Sequence, residues 1–306
     1  MSVALRVVKP GLLTTVQDAG RPHAVASGVS PGGAMDRFAL FAANLLVGNP
    51  AGAAAFECTV RGPRLVAERA CMVAVTGADL DLRVNGAEGP TWTSIALEEG
   101  AELSFGARRS GARAYIAVGG GIVADRWLGS VSTDLVVGRG GMHGRALMEG
   151  DVVEAAEQTD APPAGRSLPD EMRPNYADHS LRAIPGPHPA PDIFGPVFGV
   201  TPESNRMGYR LDGPAVHAAG DELLSFVVVA GAVQVPSGGR PILLMADHQT
   251  AGGYPVVAVV AGAWMPVAAQ LAPGDELRFL ETSLDEALAM RAAQRKALDS
   301  LTTWSL

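Results

Sequence analysis

Four stretches gather the residues whose types and spacing could do chemistry. They are Gln17-Asp18-Ala19-Gly20-Arg21, Gly28 to Arg37 with Ser30, Asp36 and Arg37, Ser204-Asn205-Arg206-Met207-Gly208-Tyr209, and Asp247-His248-Gln249-Thr250-Ala251-Gly252-Gly253-Tyr254. Most follow an apolar run that hands over to polar side chains and glycine. Arg, Asp, Gln, Asn, His and Tyr, with backbone N–H groups, suit the polarisation of amide or carboxylate oxygens and the stabilisation of developing negative charge. They do not suit redox work. Three of the stretches also admit a structural reading: Asp18 as a turn cap, Asp36 placed by a helix dipole, Asp247 and Thr250 capping a turn while His248 points outward.

Other chemistries lack their signatures. The only lysines, Lys9 and Lys296, lie near the ends, so neither a Schiff-base nor a P-loop lysine is credible. Six histidines are scattered without HExxH or a CxxC partner, against a zinc centre. No GxSxG occurs. Gly119-Gly120-Gly121 follows a strand, but without a Gly-Lys-Ser/Thr or a GxGxxG opening a helix it is no nucleotide cradle.

The positioning elements read mainly as short strands and turns. Ala34 to Val47 is the best helix of the first half, with Met35, Phe38, Ala42, Leu45 and Leu46 on one side and Gly48-Asn49-Pro50 ending it; Asn44 inside it faces solvent or bonds a neighbouring loop. Asn85-Gly86 predicts a type I′ hairpin turn, and Leu80 to Val84 alternates as a half-exposed antiparallel strand. Ser283 and Glu286 read as a capping box for a C-terminal helix, Leu284 to Leu298, expected to pack on the second domain. No strand–helix–strand rhythm supports a doubly wound sheet. Two short likenesses recur in order and at nearly equal spacing, Val29-Ser30-Pro31 with Val200-Thr201-Pro202 and the segments around Gly100 and Gly274, which suggests a duplicated domain.

The chain has 306 residues, 47% of them hydrophobic, with a formal net charge of -8. That length accommodates two domains. No basic cluster points to nucleic acid, and no apolar run is long enough to span a membrane. The N-terminus lacks a signal-peptide pattern, so a cytoplasmic location is expected. Cys58 and Cys71 read as buried thiols. The expected division is an N-terminal domain at 1–156 with a glycine-rich connector, a linker at 157–178 and a C-terminal domain at 179–306.

The residues from Gly11 to Arg21, Gly33-Ala34-Met35-Asp36, Asn44 to Asn49, Leu128-Gly129-Ser130, Ser132-Thr133-Asp134, Pro185-Gly186-Pro187, Ser204 to Arg210 and Asp247 to Pro255 resemble the biotin-dependent carboxyltransferase/allophanate hydrolase subunit 2 family. The resemblance runs from about residue 3 to 281. Departures include Pro22-His23 after Arg21, His248 where arginine is commoner and Ala251 where threonine is commoner. It implies a mainly β fold of two duplicated cyclophilin-like β-barrel domains with few short helices. It also implies an enzyme subunit with a companion B-type partner, and an A-type partner as well in the ATP-dependent 5-oxoprolinases of the family. Those open 5-oxo-L-proline to L-glutamate. Allophanate hydrolysis, the carboxyltransferase step of urea carboxylase, and non-catalytic regulation through a kinase-inhibitor-like partner are the alternatives. The candidate catalytic residues are Asp36, Arg206, Asp247, Gln249 and Tyr254. Gln17, Asp18, Arg21, Ser204, Asn205, Tyr209 and His248 are candidates for holding a cofactor. ATP is the implied cofactor, held by this chain or by the rest of the complex, with no metal and no biotin attachment on this chain.

Overall fold

The computed structural model describes residues 2–158, 162–218 and 224–302. The chain divides into two compact units. The first comprises residues 1–20, 36–173 and 294–306; the second comprises 21–35 and 174–293.

The first unit is built from two sheets. Six strands run in the order Val152–Ala155, Ser2–Lys9, Arg64–Ala67, Glu102–Phe105, Leu82–Val84 and Ala87–Glu88. Five run in the order Leu13–Gln17, Ala55–Thr59, Ser110–Val118, Cys71–Asp79 and Ser94–Leu97. One apolar cluster lies between them, drawing Leu5, Leu65 and Leu103 from one sheet and Phe56, Val75 and Ile116 from the other. Alternation puts successive side chains on opposite faces, so Glu57, Thr76 and Tyr115 face away from this core. The helix α1 (Arg37–Leu46) packs against their sheet.

The expectation of two closed barrels is not met: this unit is an open pair of sheets. The reason is what its strand edges bond to. Leu13–Gln17 gives its outer edge to the glycine-rich connector, with Thr133 N donating to Val16 O at 2.9 Å and Leu147 N to Thr14 O at 2.8 Å. At the other edge Ser94 N donates to Arg166 O at 2.8 Å. Val123 N likewise takes Glu154 O at the rim of the six-stranded sheet. Edges satisfied by irregular segments have no need to pair with each other.

The second unit does close. Seven strands form a barrel in the order Ser180–Pro185, Val256–Val260, Ala232–Gln234, Ile242–Leu244, Gly208–Asp212, Val197–Val200 and Glu276–Glu281. The seam is parallel, Leu181 opposite Phe279 and Ala183 opposite Glu281. Leu181, Phe198, Tyr209, Val233, Leu243, Val257 and Phe279 fill its interior, joined by Val267 and Ala268 of the short helix α2 (Met265–Ala269). Met35 belongs to the same core. A two-stranded sheet, Phe226–Val227 with Ala251–Gly252, accompanies a smaller cluster of Val228, Ala232, Leu244 and Val256.

The likeness around Gly100 and Gly274 is real at one turn. Gly100 N donates to Ala67 O and Ala67 N to Ala101 O; Gly274 N donates to Val200 O and Val200 N to Asp275 O. The structural counterpart of Val200 is therefore Ala67 and not Val29, which lies outside any strand. The C-terminal helix α3 (Leu284–Asp299) starts on the expected box, Ser283 Oγ accepting from Glu286 N and Glu286 Oε2 from Ser283 N. The helix divides between the two units, 284–293 grouping with the second and 294 onward with the first. Arg166 donates there to the carbonyl of Leu301.

Candidate functional site

In the first unit, Asp18 is a buried hub. Its Oδ1 accepts from Ser130 Oγ and Ser132 Oγ, each at 2.6 Å, and from Gly20 N at 2.7 Å. Its Oδ2 accepts from Val131 N at 2.8 Å. The carboxylate thereby fixes the 130–133 turn beside its own strand. Gly140 is needed for the same turn, since a Cβ there would stand 2.3 Å from Ser132 O. Gln17, fully buried, donates from Nε2 to Thr15 Oγ1 and Thr133 O, while its Oε1 has no partner.

Asp36 caps α1, with Oδ1 accepting from Ala39 N at 2.9 Å. Its own N–H donates to Tyr115 Oη at 2.7 Å, and that hydroxyl donates to Glu57 Oε2 at 2.7 Å. All three residues are buried. Burial first, and then the nearby Glu57 and Asp36 charges, hold the Tyr115 hydroxyl well above its ordinary pKa, so it remains a donor. Asn44 resolves toward the neighbouring loop: Nδ2 donates to Ala53 O at 2.8 Å, and Oδ1 accepts from Asn49, which also grips Val118 O.

The second unit brings Arg206 and Asp247 together. Arg206 Nε donates to Asp247 Oδ2 at 2.7 Å and Nη2 to Oδ1 at 3.0 Å, a two-pronged pair that fixes the guanidinium plane. Nη2 also donates to Gly33 O at 2.6 Å. Backbone bonding sets the register, with Asp247 N donating to Arg206 O and Met245 N to Met207 O. Ser204 and Asn205 shape the turn leading in: Ser204 Oγ accepts from Arg210 N, and Asn205 Oδ1 from Met207 N. Tyr209 lies in the barrel core with its hydroxyl on Leu271 O at 3.3 Å. Arg21 is buried against Gly32, where a Cβ would come within 2.8 Å of Nη1.

His248 is buried. Its Nδ1 lies 2.6 Å from Gln249 O, which can only accept, so Nδ1 carries the proton and Nε2 keeps its lone pair. Burial pushes its pKa below the ordinary histidine value, against the opposing pull of that hydrogen bond and of Asp247. Gln249 Nε2 donates to Gln234 Oε1 at 3.0 Å. Tyr254 is half exposed.

Among the described residues no group of three or more His, Cys, Asp or Glu is placed to hold a metal ion. Nor do these residues fit a triphosphate. The N-terminus of α1 is closed by the Asp36 carboxylate, and Arg206 is committed to Asp247 and the Gly33 carbonyl.

The family described as "Carboxyltransferase domain, subdomain A and B" matches residues 27–281. The chain belongs to this carboxyltransferase family. It is 39% identical over 317 residues to the C subunit of Escherichia coli 5-oxoprolinase, covering 99% of this chain and 98% of that protein. It is 30% identical to Saccharomyces cerevisiae urea amidolyase, covering 97% of this chain but only 18% of that one. The crystal structure of Kluyveromyces lactis urea carboxylase superposes with a TM-score of 0.88 at 30% identity, covering 99% of this chain and 30% of the other.

In this carboxyltransferase-family chain the structure adds residues that were not among the candidate site residues. Ser130 and Ser132 meet Asp18 from more than a hundred residues away, and a Leu-Gly-Ser-Val-Ser-Thr run was their only signal. Glu57 and Tyr115 stood inside ordinary strand text; a charged residue at an outward position of a buried strand was the available clue. Gln234 likewise interrupts an apolar strand.

Proposed function

We propose that this chain is the C-type component of a 5-oxoprolinase, one member of a complex that opens the lactam of 5-oxo-L-proline to L-glutamate at the expense of ATP. The observation that carries this reading is the end-to-end match with the C subunit of 5-oxoprolinase, 99% of one chain against 98% of the other. The urea enzymes carry the matching sequence as a minor part of a longer chain.

Opening the lactam adds water across its C–N bond. The water oxygen goes to the carbonyl carbon, and the ring nitrogen takes a proton and becomes the amine of glutamate. The chain offers groups suited to that charge movement. Arg206 is an oriented cation, Asp247 holds it in place, and the neutral His248 presents an acceptor nitrogen. ATP is assigned to the companion subunits, because the Asp36 carboxylate closes the N-terminus of α1 and Arg206 is committed to Asp247 and the Gly33 carbonyl. The pattern of relatives supports separate A- and B-type partners.

A second reading, a carboxyl-transfer role in urea breakdown, is supported by the superposition on urea carboxylase. It would take the biotin carrier from other chains. ATP-dependent glutamate release from 5-oxo-L-proline, with this chain mixed with its A- and B-type partners and each omitted in turn, decides between the two. Turnover that disappears when this chain is left out is the expected result. A stable complex that turns over urea and not 5-oxo-L-proline would overturn it.

A further inference from the structure

The glycine-rich connector of the first unit carries two turns whose tips are apolar. Asp134 and Arg139 bridge the first, and Leu135, Val136 and Val137 stand exposed between them, Val136 to 83%. Trp127 and Ser130 bridge the second, with Leu128 exposed at its tip. Three consecutive apolar residues in water gain the fold nothing, and such runs mark contact surfaces. Leu128 also sits at φ 47°, in the left-handed region that suits glycine or asparagine. A leucine kept exposed in that conformation costs the free chain stability, and such strain is retained where the side chain is used by something else.

Neither tip is loose. Asp134 N donates to Arg139 O at 2.8 Å, and Asp134 Oδ1 accepts from Val136 N at 3.1 Å and Val137 N at 3.2 Å. Gly144 lies so close to Gly138 that a Cβ on it would stand 2.1 Å from the Gly138 carbonyl oxygen. The Asp18 clamp holds residues 130–133, between the two turns. A contact surface set in advance loses little freedom on binding.

The charges beside the tips define the partner. The Arg139 side chain has no hydrogen bond or ion pair among the described residues, and the Arg126 guanidinium bonds the Gly129 carbonyl and no carboxylate. Asp125, next to Arg126, bonds the His143 ring, and the Asp134 carboxylate is held by its own turn. Both arginines are exposed, on a chain whose formal net charge is -8. A second copy of this chain would bring the same cations to the contact. A partner with carboxylates around an apolar groove would pair them.

We propose that the tips at Leu128 and at 135–137 dock a companion subunit, through an apolar groove edged with carboxylates. That this companion belongs to a 5-oxoprolinase rests on the function proposed above; the surface does not.

The test is the dissociation constant of the full chain for its A- and B-type partners, singly and together, with urea denaturation of each variant as the check on folding. Val136→Asp is expected to weaken binding about tenfold or more at unchanged stability, and Val137→Asp to do the same. Leu128→Asn should weaken binding while leaving the chain as stable or more so, a combination that a purely structural leucine would not give. Arg139→Glu should slow association, the effect fading as salt rises. Unchanged affinity in folded Val136→Asp and Leu128→Asn overturns the docking surface, as does an unaltered chain that binds neither partner. Self-association of the unaltered chain that Val136→Asp abolishes overturns the companion in favour of a second copy. A complex that these variants dissociate, but that releases no glutamate from 5-oxo-L-proline, overturns the 5-oxoprolinase reading and keeps the surface.

Discussion

Asp18 and Asp247 both follow a strand and precede glycine, but their surroundings differ in kind. Asp18 spends both oxygens on neutral donors, two serine hydroxyls and two backbone N–H groups, all within the first unit. Asp247 faces a charge, pairing through both oxygens with Arg206, which also reaches the Gly33 carbonyl. The first arrangement clamps a loop. The second holds a guanidinium in one plane and leaves the Asp247 side chain 20% exposed. A carboxylate surrounded by neutral donors from one turn is architecture. A carboxylate orienting a cation at partial exposure is a tool within reach of a ligand.

The largest expected effect is on the clamp. Asp18→Ala removes four hydrogen bonds to a buried charge and leaves Ser130 and Ser132 without their acceptor. The expected loss is about 4 kcal/mol of unfolding free energy, read by urea denaturation. Ser130→Ala, which keeps the carboxylate and its other donors, should cost about 1 kcal/mol. If Asp18→Ala folds with near-normal stability but abolishes turnover of the complex, the contrast between clamp and tool is wrong.

Arg206→Leu comes next, at about 2–3 kcal/mol, because it strands the Asp247 carboxylate at partial burial. Turnover of the complex should fall much further than stability does. In a double-mutant cycle, Arg206→Leu with Asp247→Leu should cost less stability than the two single changes added together, since neither charge is then left alone. A strictly additive cycle would mean that the pair does not act as a unit.

These particular residues also show what a sequence discloses. Asn85-Gly86 was legible because a two-residue turn with both φ values positive, 51° and 81°, needs these residue types wherever it occurs. The Ser283–Glu286 box is equally local, whereas α1 begins at Arg37 behind its Asp36 cap and not at the expected Ala34. Asp18 was visible as a polar strand end, but its donors lie in a connector whose path no periodicity records. Barrel closure was hidden for the same reason. Whether an edge strand meets another strand or a loop is decided by partners such as Thr133 and Arg166, far along the chain.

The smallest expected effect is on pH dependence, and it sharpens the contrast between the units. Burial lowers the folded-state pKa of His248 in the second unit, so the unfolded chain binds the proton more readily. Stability from this source is intact above the unfolded value of about 6.5 and falls as pH drops below it, levelling off under the folded pKa. In the first unit, Arg145 and its hydrogen bonds lower the Asp151 pKa. That contribution is present above the unfolded value of about 3.9 and is lost as pH falls through the folded pKa. Acid should therefore weaken the second unit first. His248→Gln should flatten the stability profile where it begins to fall below about pH 6.5, and Asp151→Asn should flatten it where it falls below about pH 3.9. Urea denaturation at each pH measures both, and a His248→Gln profile that still begins to fall below about pH 6.5 would place the responsible proton elsewhere.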